Sequence, residues 1–372
     1  MYDFLIIGAG LFGSIFAYEA NKAGKKVLVI DKRNHIGGNC YSIPFDDYHI
    51  HRYGPHIFHT SKKYIWDYIN QFSSFNNYSH RIKAHTDNKL YSIPINLNTF
   101  NQVWSDVNTP EQAKLKLSQE IIPCENPDNL EDHILSQVGP TLYKKFIYGY
   151  TKKQWGKDPK KLPASIIKRL PIRFTFNDRW FHDNDVYEGI PTNGYTPIFE
   201  KLLSGIEVHL DTDYFADRTY FDSLAKKIVY SGQIQQYFDY MYGDLEYRTL
   251  EFKDFKIQAE DYQGVSIINY PSNDVAWTRI IQHKHFHFSK SPIDFITYEY
   301  SKQYNKNDPN QIPYYPINTE ENNLIYKQYK LYAEKEHSKL IVGGRLGNYR
   351  YYDMDMTIGN ALSTVKKELE GI

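Results

Sequence analysis

Cysteine is nearly absent: Cys40 and Cys124 are the only two in 372 residues. Two such thiols build no disulfide framework and match no metal-ligand spacing, and they suit a reducing cytoplasm. No apolar run reaches the length of a membrane span. The start, MYDFLIIGAG, has no basic segment ahead of its apolar run and so does not read as a secretory signal. Neither sign of charge is in excess, with 44 Lys and Arg against 44 Asp and Glu. A nucleic-acid or membrane-surface binder shows a basic surplus, so neither partner is expected, although a local pocket for a small anion is compatible. No Ser-His-Asp or Cys-His arrangement stands out, and no carboxylate pair is recognisable as acid and base. His51, His56 and His59 crowd HRYGPHIFHT, but their spacing fits no common zinc signature. The expectation is a soluble cytoplasmic protein with no metal and no protein nucleophile.

What is present begins at the first residues. Tyr2–Ile7 reads as a buried strand, GAGLFG supplies Gly8, Gly10 and Gly13, a helix follows to about Gly24, and a second strand, Lys26–Ile30, ends in Asp31. Glycines there let the backbone approach a pyrophosphate at a helix N-terminus, and the acid can accept from a ribose 2′-OH. A glycine triplet alone is weak, but with both strands, the helix and the acid it predicts dinucleotide binding. Gly37 and Gly38 in KRNHIGGN shift that reading from NAD toward FAD. Residues 98–180 read as mostly helical. Thr109 caps a helix with Pro110 at its first position, and a second helix in NPDNLEDHILSQVG stops at Gly139-Pro140. Residues 228–300 read as an antiparallel sheet, rich in β-branched and aromatic residues. LIVGGRLGNYRYYDMDMTIGNAL then returns to strand, glycine turn and helix and rejoins the first domain.

Aromatic residues make up 16% of the chain, led by 34 Tyr, and one is oddly placed. Trp155 in YGYTKKQWGKDP lies among Lys152, Lys153 and Lys157 without apolar neighbours at helical or strand spacing. A flat ring kept accessible suits stacking, and cations beside it suit phosphate. Arg169, Arg173, Arg248 and Arg279 sit in aromatic or proline-bounded contexts where guanidinium forks could hold a diphosphate. Arg345, after Gly343-Gly344, could neutralise a cofactor diphosphate. The helix opening at Asp353-Met354-Asp355 could hold the flavin where charge collects on reduction.

In this order, GAGLFG, KRNHIGGN, YGPHIFHT, GYTKKQWG, IIKRLPIRF, YRTLEF, WTRIIQHKHF, IPYYPIN and GGRLGNYRYYDMD resemble the prokaryotic UDP-galactopyranose mutase family over essentially the whole chain. The resemblance implies an α/β protein with a discontinuous Rossmann-like FAD-binding domain (1–76, 195–235 and 318–372). It adds a helical domain with a mobile substrate loop (98–180) and an antiparallel β-sheet domain (77–97, 181–194 and 236–317), often as a homodimer. It implies non-redox isomerisation of UDP-galactopyranose to UDP-galactofuranose, an activity that feeds cell-surface polysaccharides. Reduced FAD supplies its N5 as nucleophile, and a reductant such as NAD(P)H keeps it active. By resemblance Arg169, Arg279 and His59 are catalytic candidates. Gly8, Gly10, Phe12, Gly13, Asp31, Gly38, Asn39, His56, Ile57, Arg345, Asp353 and Met354 fall to the cofactor. Trp155 matches the uracil-stacking ring, with Gln102 and Asn269 near the base. His80, Tyr150, Thr151, Arg169, Trp180, Arg248, Arg279, Tyr314 or Tyr315, and Tyr351 fall to phosphate or sugar. His80 stands where the family commonly has asparagine, and Trp180 where it commonly has tyrosine. These departures leave a dTDP-6-deoxyhexose or UDP-N-acetylgalactosamine mutase as alternatives. An FAD-dependent amine or alcohol oxidoreductase would share only the first glycines.

Overall fold

A computed structural model describes residues 1–167 and 171–371. Tyr2–Ile7 is the centre of a five-stranded, all-parallel sheet in the order Leu340–Val342, Ala225–Tyr230, Tyr2–Ile7, Val27–Ile30, Glu207–His209. Val27–Ile30 is apolar at every position because both faces of the sheet are covered. Phe4, Ile6, Val27 and Val29 point to one core, shared with the helices Leu11–Lys22 and Met354–Glu370. Leu5, Leu28 and Ile30 point to the other, filled by Tyr214, Tyr237 and Tyr329. The C-terminal strand thus joins the sheet begun by the first residues, as its motif suggested.

The second sheet has seven strands in the order Tyr315–Pro316, Tyr247–Gln258, Ile293–Gln303, Arg279–Gln282, Ile267–Asn269, Ile82–Thr86, Lys89–Ile93. Every neighbouring pair is antiparallel except Ile267–Asn269 with Ile82–Thr86, which is parallel. Between the sheets in sequence lie helices Leu97–Val103, Pro110–Glu120 and Leu130–Leu142. Thr109 caps the second of these, with Pro110 behind it as expected. The third does not stop at Gly139. That residue turns to φ +70° against the backbone of Glu120, and the chain resumes its helical path through Pro140. It runs on through a π-helical segment, Tyr143–Tyr148, into the helix Gly149–Trp155. Beyond Trp155 the described residues of the expected helical region hold two short 3-10 turns, and 171–180 forms neither helix nor strand. Loop 171–186 is held from within instead. Arg173 is buried and donates to the carbonyls of Arg179 and Phe181, and Arg179 pairs with Glu188.

Candidate active site

The glycine turn, the end of strand Val27–Ile30 and the Arg345 segment enclose a cleft of about 1390 Å³, open solvent at its mouth included. Gly8, Gly10, Phe12, Asp31, Gly38, Asn39, His56, Arg345 and Met354 line it. Gly13, Ile57 and Asp353 do not. Gly13 is there for packing, since a Cβ would come within 2.0 Å of the Gly8 carbonyl oxygen. Ile57 is buried in the helical core, and Asp353 stands at the N-cap position of Met354–Glu370 without a side-chain cap bond, its carboxylate facing Tyr351. Asp31 accepts from the N–H of Ala9 at 2.8 Å and of Arg33 at 2.9 Å, pinning the turn. His56 shares a hydrogen bond between Nδ1 and the Gly54 carbonyl at 2.8 Å. Burial, aided by Arg345 and Arg279, pulls its pKa down to about 4, so its ring is neutral at pH 7.

Two further donors in this cleft escaped the sequence reading. Arg33 gives Nη2 to Asn39 at 2.9 Å and lies over the Tyr53 ring, but its buried Nη1 has no partner among the described residues. Gln233 accepts from Tyr304, and its buried Nε2 likewise has no partner among the described residues. Buried polar groups are normally satisfied, so two orphaned donors point to an acceptor-rich guest. KRN offered the signal for Arg33, two residues beyond the acid; Gln233 had none.

The second part of the site is a row across the seven-stranded sheet. Ala84, Asn269, Arg279, Glu299 and Phe252 stand in register on consecutive strands. Arg279 donates Nε and Nη2 to one oxygen of Glu299, at 2.8 and 2.7 Å. Asn269 is buried, and its Oδ1 has no hydrogen-bond partner among the described residues. Tyr150 and Tyr315 lie in the field of Arg279. Tyr315 in turn meets Tyr351 at 5.8 Å between ring centroids, and Arg345 lies over both rings. Arg345 also lines the cofactor cleft, so the sheet row and the cleft are parts of one site. Tyr314 takes the opposite direction from Tyr315 and lines the cofactor cleft. Of that alternative pair, Tyr315 is the one beside Arg279.

A third wall is aromatic. His59 pairs with Asp185 at 3.0 Å and stacks on Phe181 at 3.6 Å between centroids. Phe181 leans on His80 at 5.7 Å. His80 is buried, its Nδ1 3.0 Å from the Tyr78 hydroxyl, and burial pulls its pKa down to about 3. Trp180 donates its backbone N–H to the His80 carbonyl at 2.7 Å and leaves its ring partly exposed. Phe181, between the two histidines, was missed although it adjoins Trp180.

The cations around Trp155 are not arranged as expected. Lys153 Nζ is enclosed by four backbone carbonyls, and Lys157 pairs with Glu246 at 2.7 Å. Arg248 is buried and grips the end of the same helix, donating Nε to Gln154 O at 2.9 Å and Nη2 to Lys153 O at 3.2 Å, with further bonds to Ser301 and Gln303. Gly156, at φ +67°, lies against that guanidinium, and a Cβ there would sit 2.5 Å from Nη1. Arg248 is a helix clamp in this structure, and Lys153 and Lys157 are structural, the first spent on carbonyls and the second on the Glu246 carboxylate. Trp155 itself is half-buried on the helical core, and Thr151 is buried. Gln102 has its amide tied to the outer strand, Oε1 to Ser92 N at 2.8 Å and Nε2 to Leu90 O at 3.4 Å. Arg169 lies outside the described residues. Cys40 is buried, and burial pushes its thiol up to about 12, so it supplies no thiolate.

Comparison with known proteins follows the same division. A family model for UDP-galactopyranose mutase matches residues 145–351, and one for NAD(P)-binding Rossmann-like domains matches 6–72. The chain is 38% identical to a dTDP-fucopyranose mutase of Escherichia coli, covering 97% of each. It is 39% identical to a probable UDP-galactopyranose mutase of Klebsiella pneumoniae, covering 100% of this chain and 95% of the relative. Among solved structures, a reduced UDP-galactopyranose mutase superposes with a TM-score of 0.77 at 13% identity, covering 100% and 96% of the two chains. A putative protoporphyrinogen oxidase from Exiguobacterium gives 0.69 at 11%, covering 100% and 99%. At those identities the likeness concerns the fold alone.

Proposed function

Because the chain belongs to the UDP-galactopyranose mutase family, a group of nucleotide-sugar isomerases, we propose that it interconverts UDP-galactopyranose and UDP-galactofuranose with reduced FAD as cofactor. The observation that carries the substrate half is the Asn269–Arg279 pair. A buried amide oxygen without a partner suits the imide N–H of a pyrimidine base, and a guanidinium beside it suits a diphosphate. Tyr150 and Tyr315 flank Arg279 with hydroxyls for phosphate or sugar oxygens, and Trp155 offers a half-buried ring for the base.

The cofactor cleft fits FAD. The turn Gly8–Gly13 brings backbone N–H groups to a helix start, Asp31 faces the cleft for ribose, and the unpaired donors of Arg33 and Gln233 await acceptors. Arg345 adds a cation and Met354 a helix N-terminus at the other end. When bound and reduced, by NAD(P)H for example, the flavin supplies a nucleophilic nitrogen for the anomeric carbon. Cys40, which lines the cleft, does not compete as a nucleophile, because burial keeps its thiol protonated. Arg279, fixed by Glu299, holds the departing diphosphate near the sugar, and Arg169 is its proposed second cation. The neutral ring of His56, which lines the cleft, keeps further positive charge off the cofactor edge.

A second reading is a mutase for a nucleotide-linked 6-deoxyhexose. It is favoured by the His59–Phe181–His80 wall, which narrows one side of the site, and by the E. coli dTDP-fucopyranose mutase relative. One assay tests the class. Purified protein is incubated anaerobically with UDP-galactofuranose, oxidised or dithionite-reduced, and products are separated by HPLC. Product only after reduction is expected. Equal product in both states, or net oxidation of the sugar, overturns the proposal.

A further inference from the structure

A lysine three residues from one aromatic and two from another, in a site for a nucleotide diphosphate, invites assignment to phosphate. Its surroundings point elsewhere. Lys153 Nζ lies 2.5 Å from the carbonyl oxygen of Tyr270, 2.7 Å from Ser272, 2.9 Å from Trp277 and 3.2 Å from Val275. An ammonium has three protons, so four carbonyls occupy all of them. The carbonyls belong to the link between strands Ile267–Asn269 and Arg279–Gln282. The cage therefore starts one residue after Asn269 and ends two before Arg279.

The helix side is as closely tied. The carbonyl of Lys153 accepts from Arg248 while its ammonium enters the cage, so this one residue is fastened at both ends. One turn earlier, Gly149 lies against the same link; a Cβ there would be 2.1 Å from the Pro271 carbonyl oxygen. Gly149 and Lys153 thus form the docking face of the helix that carries Tyr150 and Trp155. Without a cation, four carbonyl dipoles would converge on an empty centre and the link would splay.

We propose that Lys153 is a positioning residue that sets the width of the nucleotide-base slot, by fixing the Trp155 helix against the link that joins the strands of Asn269 and Arg279. The inference rests on the nucleotide-sugar reading above. It separates two consequences of losing the lysine: the base loses its fitted slot, while Arg279, held independently by Glu299, keeps its place by the phosphate.

The test compares the native holoenzyme with Lys153→Met, which keeps the apolar stem, and with Lys153→Arg. UDP affinity is measured by calorimetry, steady-state constants with UDP-galactofuranose, and inhibition with galactose 1-phosphate, which lacks the base. Lys153→Met should weaken UDP binding at least tenfold and raise KM similarly, with kcat within about twofold and galactose 1-phosphate inhibition unchanged. Lys153→Arg, still a cation with donors for the carbonyls, should recover part of the UDP affinity. Should Lys153→Met not fold, Lys153→Ala assayed with and without millimolar ethylammonium replaces it, and affinity should return with the amine. Native protein that binds no UDP overturns the nucleotide reading and this inference with it. Native protein that binds UDP while Lys153→Met, or amine-free Lys153→Ala, binds it within twofold overturns the inference alone. A matching loss of galactose 1-phosphate inhibition also overturns it, because the lysine would then be holding the whole site.

Discussion

Asn269 and Arg279 face each other in register on adjacent antiparallel strands; the arginine is held by Glu299, while the Asn269 Oδ1 has no partner among the described residues. A buried carbonyl without a donor costs roughly 1–3 kcal/mol, a cost the fold bears unless a ligand offsets it. Replacing Asn269 with Leu should therefore leave the free protein as stable or more so, while weakening UDP binding about tenfold or more. Thermal melts and calorimetry on the same preparations separate the two effects. A variant that loses stability and keeps its UDP affinity would show that the amide serves the fold instead.

Arg279 has the opposite signature, because its neighbour is a buried carboxylate. Glu299 is 1% exposed and takes two donors from the guanidinium. Arg279→Ala should lose a charged contact to phosphate, worth roughly 2–5 kcal/mol, or about 30- to several-thousand-fold in kcat/KM. It should also lower the melting temperature by stranding the Glu299 charge. Adding Glu299→Gln should restore much of the stability and none of the activity. Activity returning with stability in the double variant would reduce Arg279 to a structural ion pair.

These assignments differ in how far the sequence revealed them. The parallel sheet was legible because strand, glycine turn, helix, strand and acid each carry a local signature, and Gly8, Gly10 and Asp31 fall in the cleft as read. Arg248 and Lys153 were not legible. Both are cations that end on backbone carbonyls far away in sequence, and no pattern of residue types distinguishes that from a phosphate contact. The same gap hid Arg33 Nη1 and Gln233 Nε2, whose meaning lies in what they fail to bond. Gly139-Pro140 looked like a helix stop, but glycine at positive φ let the chain kink and continue.

Burial of histidine makes the fold acid-labile. His80 and His283 are buried, and burial pulls each pKa down to about 3 from an ordinary value near 6.5. Between those limits the unfolded chain binds protons that the folded chain refuses. Stability is then fully present above pH 6.5 and falls as pH drops toward 3, with a slope of about 1.4 kcal/mol per pH unit for each histidine. Urea midpoints measured from pH 7.5 to 4.5 should fall throughout the lower half of that range. His283→Gln should flatten the slope by about one histidine's share. A stability flat from pH 7 to 4.5 would contradict the burial of these rings.

The same buried ring bears on sugar choice. His80 is held by Tyr78, whose hydroxyl also meets Ser266 at 2.6 Å, and its other flank meets Phe181, which is stacked on His59. This chain of contacts keeps the imidazole from turning freely, so its bulk is a fixed part of the wall. An asparagine is smaller, and its amide offers a donor and an acceptor where the wall now presents a flat ring. His80→Asn should open space for a hydroxyl and provide a partner for it. The expected result is a shift of kcat/KM toward UDP-galactofuranose over a thymidine-linked 6-deoxyhexofuranose by tenfold or more, the scale at which a site built for one hydroxyl discriminates. UDP affinity should not move, since Asn269, Arg279 and Trp155 are untouched. The native enzyme is then informative in its own right: if the ring limits the site, its preference lies nearer the deoxy sugar than that of the variant. Native and variant enzymes with the same ratio between the two sugars would remove His80 from sugar selection, leaving Trp180 as the departure still to be explained.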